Sequence, residues 1–163
     1  MVYPENFEPK IGFDTIRQKL KDKCLGDCGK ENIDKISFVD DPAVLKGFLS
    51  AVNEFQYLLR YEDNYPAESY FNITDSLAKI RVEGTFPEIR EVFDLKRSLE
   101  TVRMILGFFR SKDENRYPEL KKICAPIKNF PFVIDAIDRI IDKYGNIKDT
   151  ASPRLKEIRS EIS

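Results

Sequence analysis

The apolar residues of this chain recur at helical spacing along two long stretches. The first stretch has apolar residues three and four positions apart, at Leu45, Phe48, Val52, Phe55 and Leu59. The second keeps the same spacing at Val92, Leu95, Leu99, Val102, Leu106 and Phe109. It fits a helix of about 24 residues, roughly 36 Å long. Such spacing puts side chains on one helix face, which is normally buried against another helix. Both seams, with Val52 and Leu99 in them, are therefore predicted to form the core of an all-α helical bundle.

Residues with capping chemistry precede both seams. Asp41 followed by Pro42 is typical of a helix start, because aspartate caps the first turn and proline fits the first helical position. Thr85 and Glu88 have the spacing of a capping box, in which each side chain accepts a hydrogen bond from the other residue's backbone N–H. These residues predict where the two long helices begin.

Shorter helices are predicted in the rest of the chain, because no stretch alternates with period two for long enough to indicate a sheet. The first covers residues 13–24 and is ended or kinked by Gly26 or Gly29. Another covers residues 131–144 and is closed by Gly145. Ser152 and Pro153 begin the last helix, whose apolar residues are Leu155, Ile158 and Ile162. Further short helices and polar connections fill the remaining ranges, namely 77–80, 118–124, 61–70 and 111–117.

Composition indicates one ordinary domain, residues 1–163, in a cytoplasmic protein. No apolar run approaches the roughly 20 residues that a membrane span needs, and the first residues do not resemble a signal peptide. The chain has 27 Lys and Arg against 28 Asp and Glu, whereas a domain that binds nucleic acid by itself normally carries a positive excess. Three cysteines without a secretory signal indicate reduced thiols.

Two clusters could in principle bind a metal ion. Cys24 and Cys28 lie four residues apart, but a structural zinc site needs four Cys or His ligands. The chain has one further cysteine and no histidine, so both are interpreted as small buried apolar residues. Asp135, Asp138 and Asp142 could hold Mg²⁺. Since they alternate with isoleucines, they are interpreted as the solvated face of an amphipathic helix, where Asp138→Ala should be nearly neutral.

No other pattern indicates catalysis. Gly29 and Lys30 resemble the end of a phosphate-binding loop, but Cys24 replaces the first glycine and Glu31 the Mg²⁺-binding hydroxyl. The absence of histidine excludes histidine-based nucleophilic triads and Glu-x-x-His di-metal bundles. No catalytic, cofactor-binding or metal-ligating residue is predicted in this chain.

Three stretches resemble the N-terminal region of the second bacterial branch of the MutS family, which carries a MutS ATPase and a C-terminal Smr nuclease domain. They are FDTIRQKLKDKCLGDCGKENI at 13–33, SLAKIRVEGTFPEIREVFDLKRSLETVRMI at 76–105, and IKDTASPRLKEIRSEI at 147–162. The last is the most specific. It matches the family pattern D-x-A-S-P-x-L-x-x-I-R at Asp149, Ala151, Ser152, Pro153, Leu155, Ile158 and Arg159.

The resemblance implies an all-α core, the lever region of MutS proteins, that couples the nucleotide state of an ATPase to the opening of a clamp. It also implies a chain cut within its last helix, whose end from Ser160 onward should fray. The partners would be the protein's own ATPase and clamp domains.

The family's whole protein would be a homodimer that uses ATP and Mg²⁺. It would bind branched DNA or stalled ribosomes, suppress recombination and rescue ribosomes, with no membrane partner. The ATPase and nuclease residues have no counterparts in these 163 residues. The alternative function is a stand-alone helical module that binds a partner protein in a groove.

Overall fold

The predicted all-α fold is confirmed by the computed structural model, which describes residues 7–66 and 71–162. Within those residues there is no β-strand, and one isolated antiparallel bridge joins Ile141 to Ile147. The helices are α1 (Phe7–Lys10), α2 (Phe13–Lys21), α3 (Asp27–Asp34), α4 (Pro42–Tyr61), α5 (Thr74–Lys79), α6 (Ile89–Arg110), α7 (Pro118–Cys124), α8 (Pro131–Ile140) and α9 (Pro153–Ile162), with a 3₁₀ turn at Asp149–Ala151.

The chain forms two compact units. Among the described residues, the first unit contains 7–63 and 114–123, and the second contains 64–66, 71–113 and 124–162. The first unit therefore holds α1 to α4 and nearly all of α7, while the second holds α5, α6, α8 and α9.

Helix α4 of the first unit begins where the sequence predicts. The Asp41 carboxylate accepts hydrogen bonds from the backbone N–H groups of Ala43 at 2.7 Å and Val44 at 3.3 Å, and Pro42 is the first helical residue. These bonds satisfy donors that have no partner within the helix.

The 45–59 seam of α4 is not buried, so its predicted place in the core is wrong. Leu45, Phe48, Val52 and Leu59 are all exposed, while the neighbouring Leu58 is 0% exposed. The spacing identifies residues that share a face, but burial needs a second surface to cover that face. Within this chain, Leu58 rather than the seam supplies the buried contact of α4.

Gly26, which was predicted to end or kink a helix, instead begins one. Helix α2 stops at Lys21, and Gly26, with an extended backbone, is the N-cap of α3. Gly29 lies inside α3, where the Cys24 sulfur would be 3.2 Å from any added Cβ. The helix predicted over 13–24 is therefore too long. Helix α2 already ends at Lys21, and Gly26 begins the next helix.

Helix α6 supplies much of the core of the second unit. Its buried residues include Leu106 and Phe109 of the 92–109 seam, together with Thr101 and Phe108. Leu99 is half-buried. The rings of Phe108 and Phe109 meet edge to face, with centroids 5.3 Å apart, the arrangement that aromatic quadrupoles favour. The core role predicted for this seam holds at its C-terminal half.

The capping box of α6 lies three residues later than predicted. Glu88 is the N-cap and pairs with Glu91, whose carboxylate accepts from the Glu88 N–H at 2.7 Å. The Thr85 hydroxyl lies instead 2.6 Å from the Lys79 carbonyl and 2.7 Å from that of Val82. Thr85 therefore donates to carbonyls at and just after the end of α5, and it lies three residues before Glu88, the N-cap of α6.

Helix α8 is shorter than the predicted 131–144 helix. It ends at Ile140, and the next residue, Ile141, pairs with Ile147. A turn connects them, in which Gly145 has φ of +89°, a conformation that glycine adopts without strain. The Asp142 carboxylate accepts hydrogen bonds from backbone N–H groups of this turn, which favours the turn over a longer helix.

The last helix begins as predicted. The Ser152 hydroxyl accepts from the Leu155 N–H at 3.1 Å, and Pro153 is the first residue of α9. Leu155 is half-buried and Ile158 exposed. The Ile162 side chain lies outside the described residues, and the expected fraying of the last turn stays a prediction. No described helix is both long enough and apolar enough to span a membrane.

Candidate functional site

A buried lysine joins the two principal helices of the second unit. Lys96 of α6 is only 8% exposed, and its ammonium lies 2.5 Å from the Asp138 carboxylate of α8 and 3.6 Å from Glu100. The hydrogen bond to Asp138 raises the pKa of Lys96. The Lys148 ammonium also donates to the Asp138 backbone carbonyl. This cluster fixes the α6–α8 contact through charge-assisted hydrogen bonds.

The predicted solvated aspartate face of one helix is therefore only partly correct: Asp138 is partly exposed but also pairs with a buried lysine, and Asp142 lies beyond the end of α8. Asp135 is exposed. Asp138 pairs with Lys96, and the Asp142 carboxylate accepts hydrogen bonds from backbone N–H groups of the turn after α8. Sequence spacing could not show this, because the lysine partner lies more than 40 positions away in the chain. Among residues 7–66 and 71–162, no three His, Cys, Asp or Glu residues are arranged to hold a metal ion.

Asp142 organises the turn after α8. Its carboxylate accepts from the Tyr144 N–H at 2.8 Å and the Asn146 N–H at 2.9 Å. These backbone hydrogen bonds, chiefly the one from Asn146, lower the pKa of Asp142, since they favour the ionised form. An added Cβ on Gly145 would lie 3.2 Å from the Phe93 ring, so the turn also approaches α6 closely.

Asp142 is expected to titrate below the usual aspartate pKa of about 3.9. Because its folded-state pKa is lowered, its stabilising effect is present above the unfolded value and is lost as pH falls through the folded value. NMR titration of the side-chain carboxyl carbons measures this pKa directly. An Asp142 value at or above 3.9 would contradict the two backbone hydrogen bonds.

The cysteines do not form a ligand set. Cys24 is half-buried and Cys28 is exposed, so the interpretation of both as buried apolar residues is wrong for Cys28. The Cys24 thiol donates to the Leu20 carbonyl at 3.4 Å. Cys124, the last residue of α7, is half-buried, and burial raises the pKa of its thiol, which lowers its reactivity.

Gly29 and Lys30 do not fit a nucleotide phosphate. Both lie inside α3 rather than in a loop before a helix, and the Lys30 ammonium pairs with Asp27 at 2.9 Å. A phosphate-binding loop needs a row of free backbone N–H groups that cradle the phosphates. Gly29 and Lys30 therefore do not form a phosphate-binding loop.

A second polar cluster, which the sequence pattern missed, fixes α7 within the first unit. Glu54 of α4 accepts from the N–H groups of Glu119 at 3.1 Å and Leu120 at 3.0 Å, so a side chain from another helix caps α7. About two turns further, at the C-cap of α4, Glu62 accepts from the buried Tyr117 hydroxyl at 2.8 Å. Tyr117 has φ of +60°, a strained value for a residue other than glycine, and these bonds help to hold it.

The exposed face of α4 is one candidate binding surface. A groove of about 350 Å³ runs along it, lined by Pro42, Leu45, Lys46, Leu49, Ser50 and Asn53. The exposed seam residues Phe48, Val52 and Leu59 continue the apolar face. An exposed apolar patch of this kind marks an interaction site. The surface is largely apolar, with Lys46, Ser50 and Asn53 along the groove.

Comparison with known proteins relates the chain to one group. It is 30% identical over 149 residues to an endonuclease MutS2 of Fusobacterium nucleatum subsp. nucleatum, which covers 91% of this chain and 19% of the relative. It is 27% identical over 154 residues to an endonuclease MutS2 of Geobacillus sp., with 93% and 20% covered. For the endonuclease MutS2 of Caldicellulosiruptor saccharolyticus the values are 30% over 155 residues, with 93% and 19% covered.

These matches confirm the resemblance that the sequence stretches indicated. The chain spans about a fifth of the length of the curated relatives that it matches. No family model and no solved structure matches it.

Proposed function

Since the chain is related to the endonuclease MutS2 proteins, we propose that it serves as the helical lever of a MutS2-type protein. In this role the helices transmit movement between an ATPase and a clamp, and the chain itself is structural. The homology over more than nine-tenths of the chain carries the proposal. ATP and Mg²⁺ binding, and action on branched DNA or stalled ribosomes as a homodimer, are proposals for the whole protein.

The second unit has features that suit force transmission. Helix α6 has 22 residues, about 33 Å at 1.5 Å per residue. Lys96 ties its first half to α8, and Phe108 and Phe109 are buried near its end. A helix held at both ends moves as a stiff element, which a lever requires.

The lever role can be tested by transplanting the chain. In the F. nucleatum relative, the aligned stretch is replaced by this chain, and DNA cleavage is measured with and without ATP. We expect the chimera to keep the relative's ratio of the two rates. Replacing Arg103 and Met104, which are exposed in the middle of α6, by glycine should abolish most of that ratio, because two glycines loosen a helix by about 1 kcal/mol each.

The matched control replaces Arg103 and Met104 by alanine, which removes the same side chains and keeps the helix stiff. The alanine pair should preserve the ATP response. If the glycine pair also preserves it, the lever proposal fails. If the unsubstituted chimera is inactive while correctly folded, the chain is not equivalent to the relatives' segment.

The alternative function, a stand-alone interaction module, is favoured by the exposed face of α4. It requires that the chain bind a separate protein partner without an ATPase. In that case the chimera would fail, whereas the isolated chain would retain partner binding.

A further inference from the structure

Two cysteines flank the corner between α2 and α3. Cys24 follows the end of α2, and Cys28 is the second residue of α3. Within one continuous helix, residues four apart keep their Cβ atoms about 5–6 Å apart, whereas a disulfide needs about 3.8 Å. Here residues 25–26 form a bend that belongs to neither helix. Because the bend is not tied to helical geometry, the two cysteines can approach each other more closely than a helix allows.

The side chain of Cys24 lies against the first turn of α3. A Cβ added to Gly29, the residue after Cys28, would be 3.2 Å from the Cys24 sulfur and 3.3 Å from the Cys24 Cβ. Neighbouring Cβ positions on a helix are about 5 Å apart. The Cβ atoms of Cys24 and Cys28 are therefore separated by at most about 8 Å. An adjustment of the 25–26 bend is enough to bring the two sulfurs into contact.

The two thiols differ in exposure, and this difference divides their roles. Cys28 is exposed and meets an oxidant in solution first, whereas Cys24 is half-buried. Cys124 is also half-buried, and burial raises the pKa of its thiol, so that little of it is in the reactive thiolate form. A solvent-accessible cysteine next to a second cysteine that can resolve it is the arrangement found in redox-sensitive thiols.

From these observations we propose that Cys24 and Cys28 form a redox-active dithiol that reacts with peroxides. The Cys28 thiolate attacks one oxygen of hydrogen peroxide, the O–O bond breaks, and the leaving hydroxide takes up the thiol proton to become water. Cys28 is thereby oxidised to a sulfenic acid. The Cys24 thiol then attacks this sulfur, so that the S–S bond forms, the S–O bond breaks and a second water leaves. In sum, two thiols lose two hydrogen atoms and the peroxide is reduced to two waters.

Oxidation changes how α2 and α3 are joined. In the reduced chain, Lys21 of α2 pairs with Asp34 at 2.6 Å, so that the last turn of α3 is tied to α2. The disulfide adds a covalent tie at the first turn of α3. It also removes the S–H group of Cys24, which donates to the Leu20 carbonyl at 3.4 Å in the reduced chain. The dithiol thus makes the α2–α3 corner sensitive to peroxide, and this inference does not depend on the lever role.

Counting free thiols in the whole 163-residue chain tests the proposal. After a stoichiometric dose of hydrogen peroxide, we expect Cys124 alone of the three cysteines to remain alkylatable, with a Cys24–Cys28 disulfide identified by mass spectrometry. Dithiothreitol should restore all three thiols. In the Cys28→Ser variant, oxidation of Cys24 should be slower by about tenfold or more, because the exposed cysteine that reacts first is missing.

A matched control moves the second thiol to another face of α3. The double variant Cys28→Ser, Glu31→Cys keeps three thiols, but position 31 lies about 200° around the helix from position 29. Glu31 is exposed, so circular dichroism should show an unchanged fold. We expect its disulfide with Cys24 to form about tenfold more slowly or not at all, because ring closure depends on placement. Equal rates in the two chains would overturn the proposal. So would a disulfide that joins Cys28 to Cys124 or to another chain, or an oxidation that leaves Cys24 free.

Discussion

Leu58→Ala is expected to lower the free energy of unfolding by about 3–4 kcal/mol, because it leaves a cavity around a fully buried side chain. Leu58 is 0% exposed and lies in the last turn of α4. Urea unfolding followed by circular dichroism measures the loss.

Leu59→Ala is the matched control. It removes the same atoms from the adjacent position of the same helix, where the side chain is 58% exposed. Its expected effect is within about 0.5 kcal/mol, as for surface substitutions without a special role. Equal losses for the two variants would mean that Leu59 is as buried as Leu58, and a larger loss for Leu59→Ala would mean that the seam is the buried face.

The contrast between these two leucines marks the limit of the periodic pattern. Leu59 continues the three–four spacing and Leu58 does not, yet Leu58 is the buried residue. Periodicity reports which side chains share a face, whereas burial depends on which face the rest of the chain covers. For α6 the same reasoning succeeded at Leu106 and Phe109, because the second unit covers that face itself.

Helix boundaries were predictable where a single side chain decides them. Asp41 and Ser152 cap helices as their sequence context indicates. At residues 85–91 two capping boxes are possible. The sequence could not show that the Thr85 hydroxyl donates to the carbonyls of Lys79 and Val82 instead of taking part in the capping box. Local chemistry gives the candidates, and a competing tertiary or loop contact selects among them.

The features of the candidate sites also differ in whether the sequence alone could predict them. Absence of histidine and the incomplete phosphate-loop pattern were readable directly from residue types. The contacts of Glu54 with the start of α7 and of Lys96 with Asp138 join residues 65 and 42 positions apart. No local pattern encodes such pairs. Their discovery needs the three-dimensional arrangement of the helices.

Asp138→Ala is expected to cost about 1–2 kcal/mol, in contrast to the near-neutral effect predicted from an amphipathic pattern. The change removes the 2.5 Å partner of the buried Lys96 ammonium and leaves it only Glu100 at 3.6 Å, and a buried charge that loses its nearest partner is destabilising. The cost is at the lower end because the Asp138 side chain is 45% exposed, so solvent screens part of the interaction. Asp135→Ala, on the exposed face of the same helix, should change stability by less than about 0.5 kcal/mol.

A second substitution and a pH series separate the charge pair from simple packing. Lys96→Met retains an apolar stem and removes the ammonium. When it is combined with Asp138→Ala, the double variant should therefore recover most of the stability that Asp138→Ala loses. The bond to Asp138 raises the pKa of Lys96 in the folded protein. Its contribution is therefore complete below the unfolded lysine pKa of about 10.4 and is lost as pH rises through the folded value. The stability difference between the unsubstituted chain and Asp138→Ala should accordingly shrink above this pH. A difference that stays constant up to pH 12, well above the ordinary lysine pKa of about 10.4, would show that Asp138 acts through packing and not through its charge.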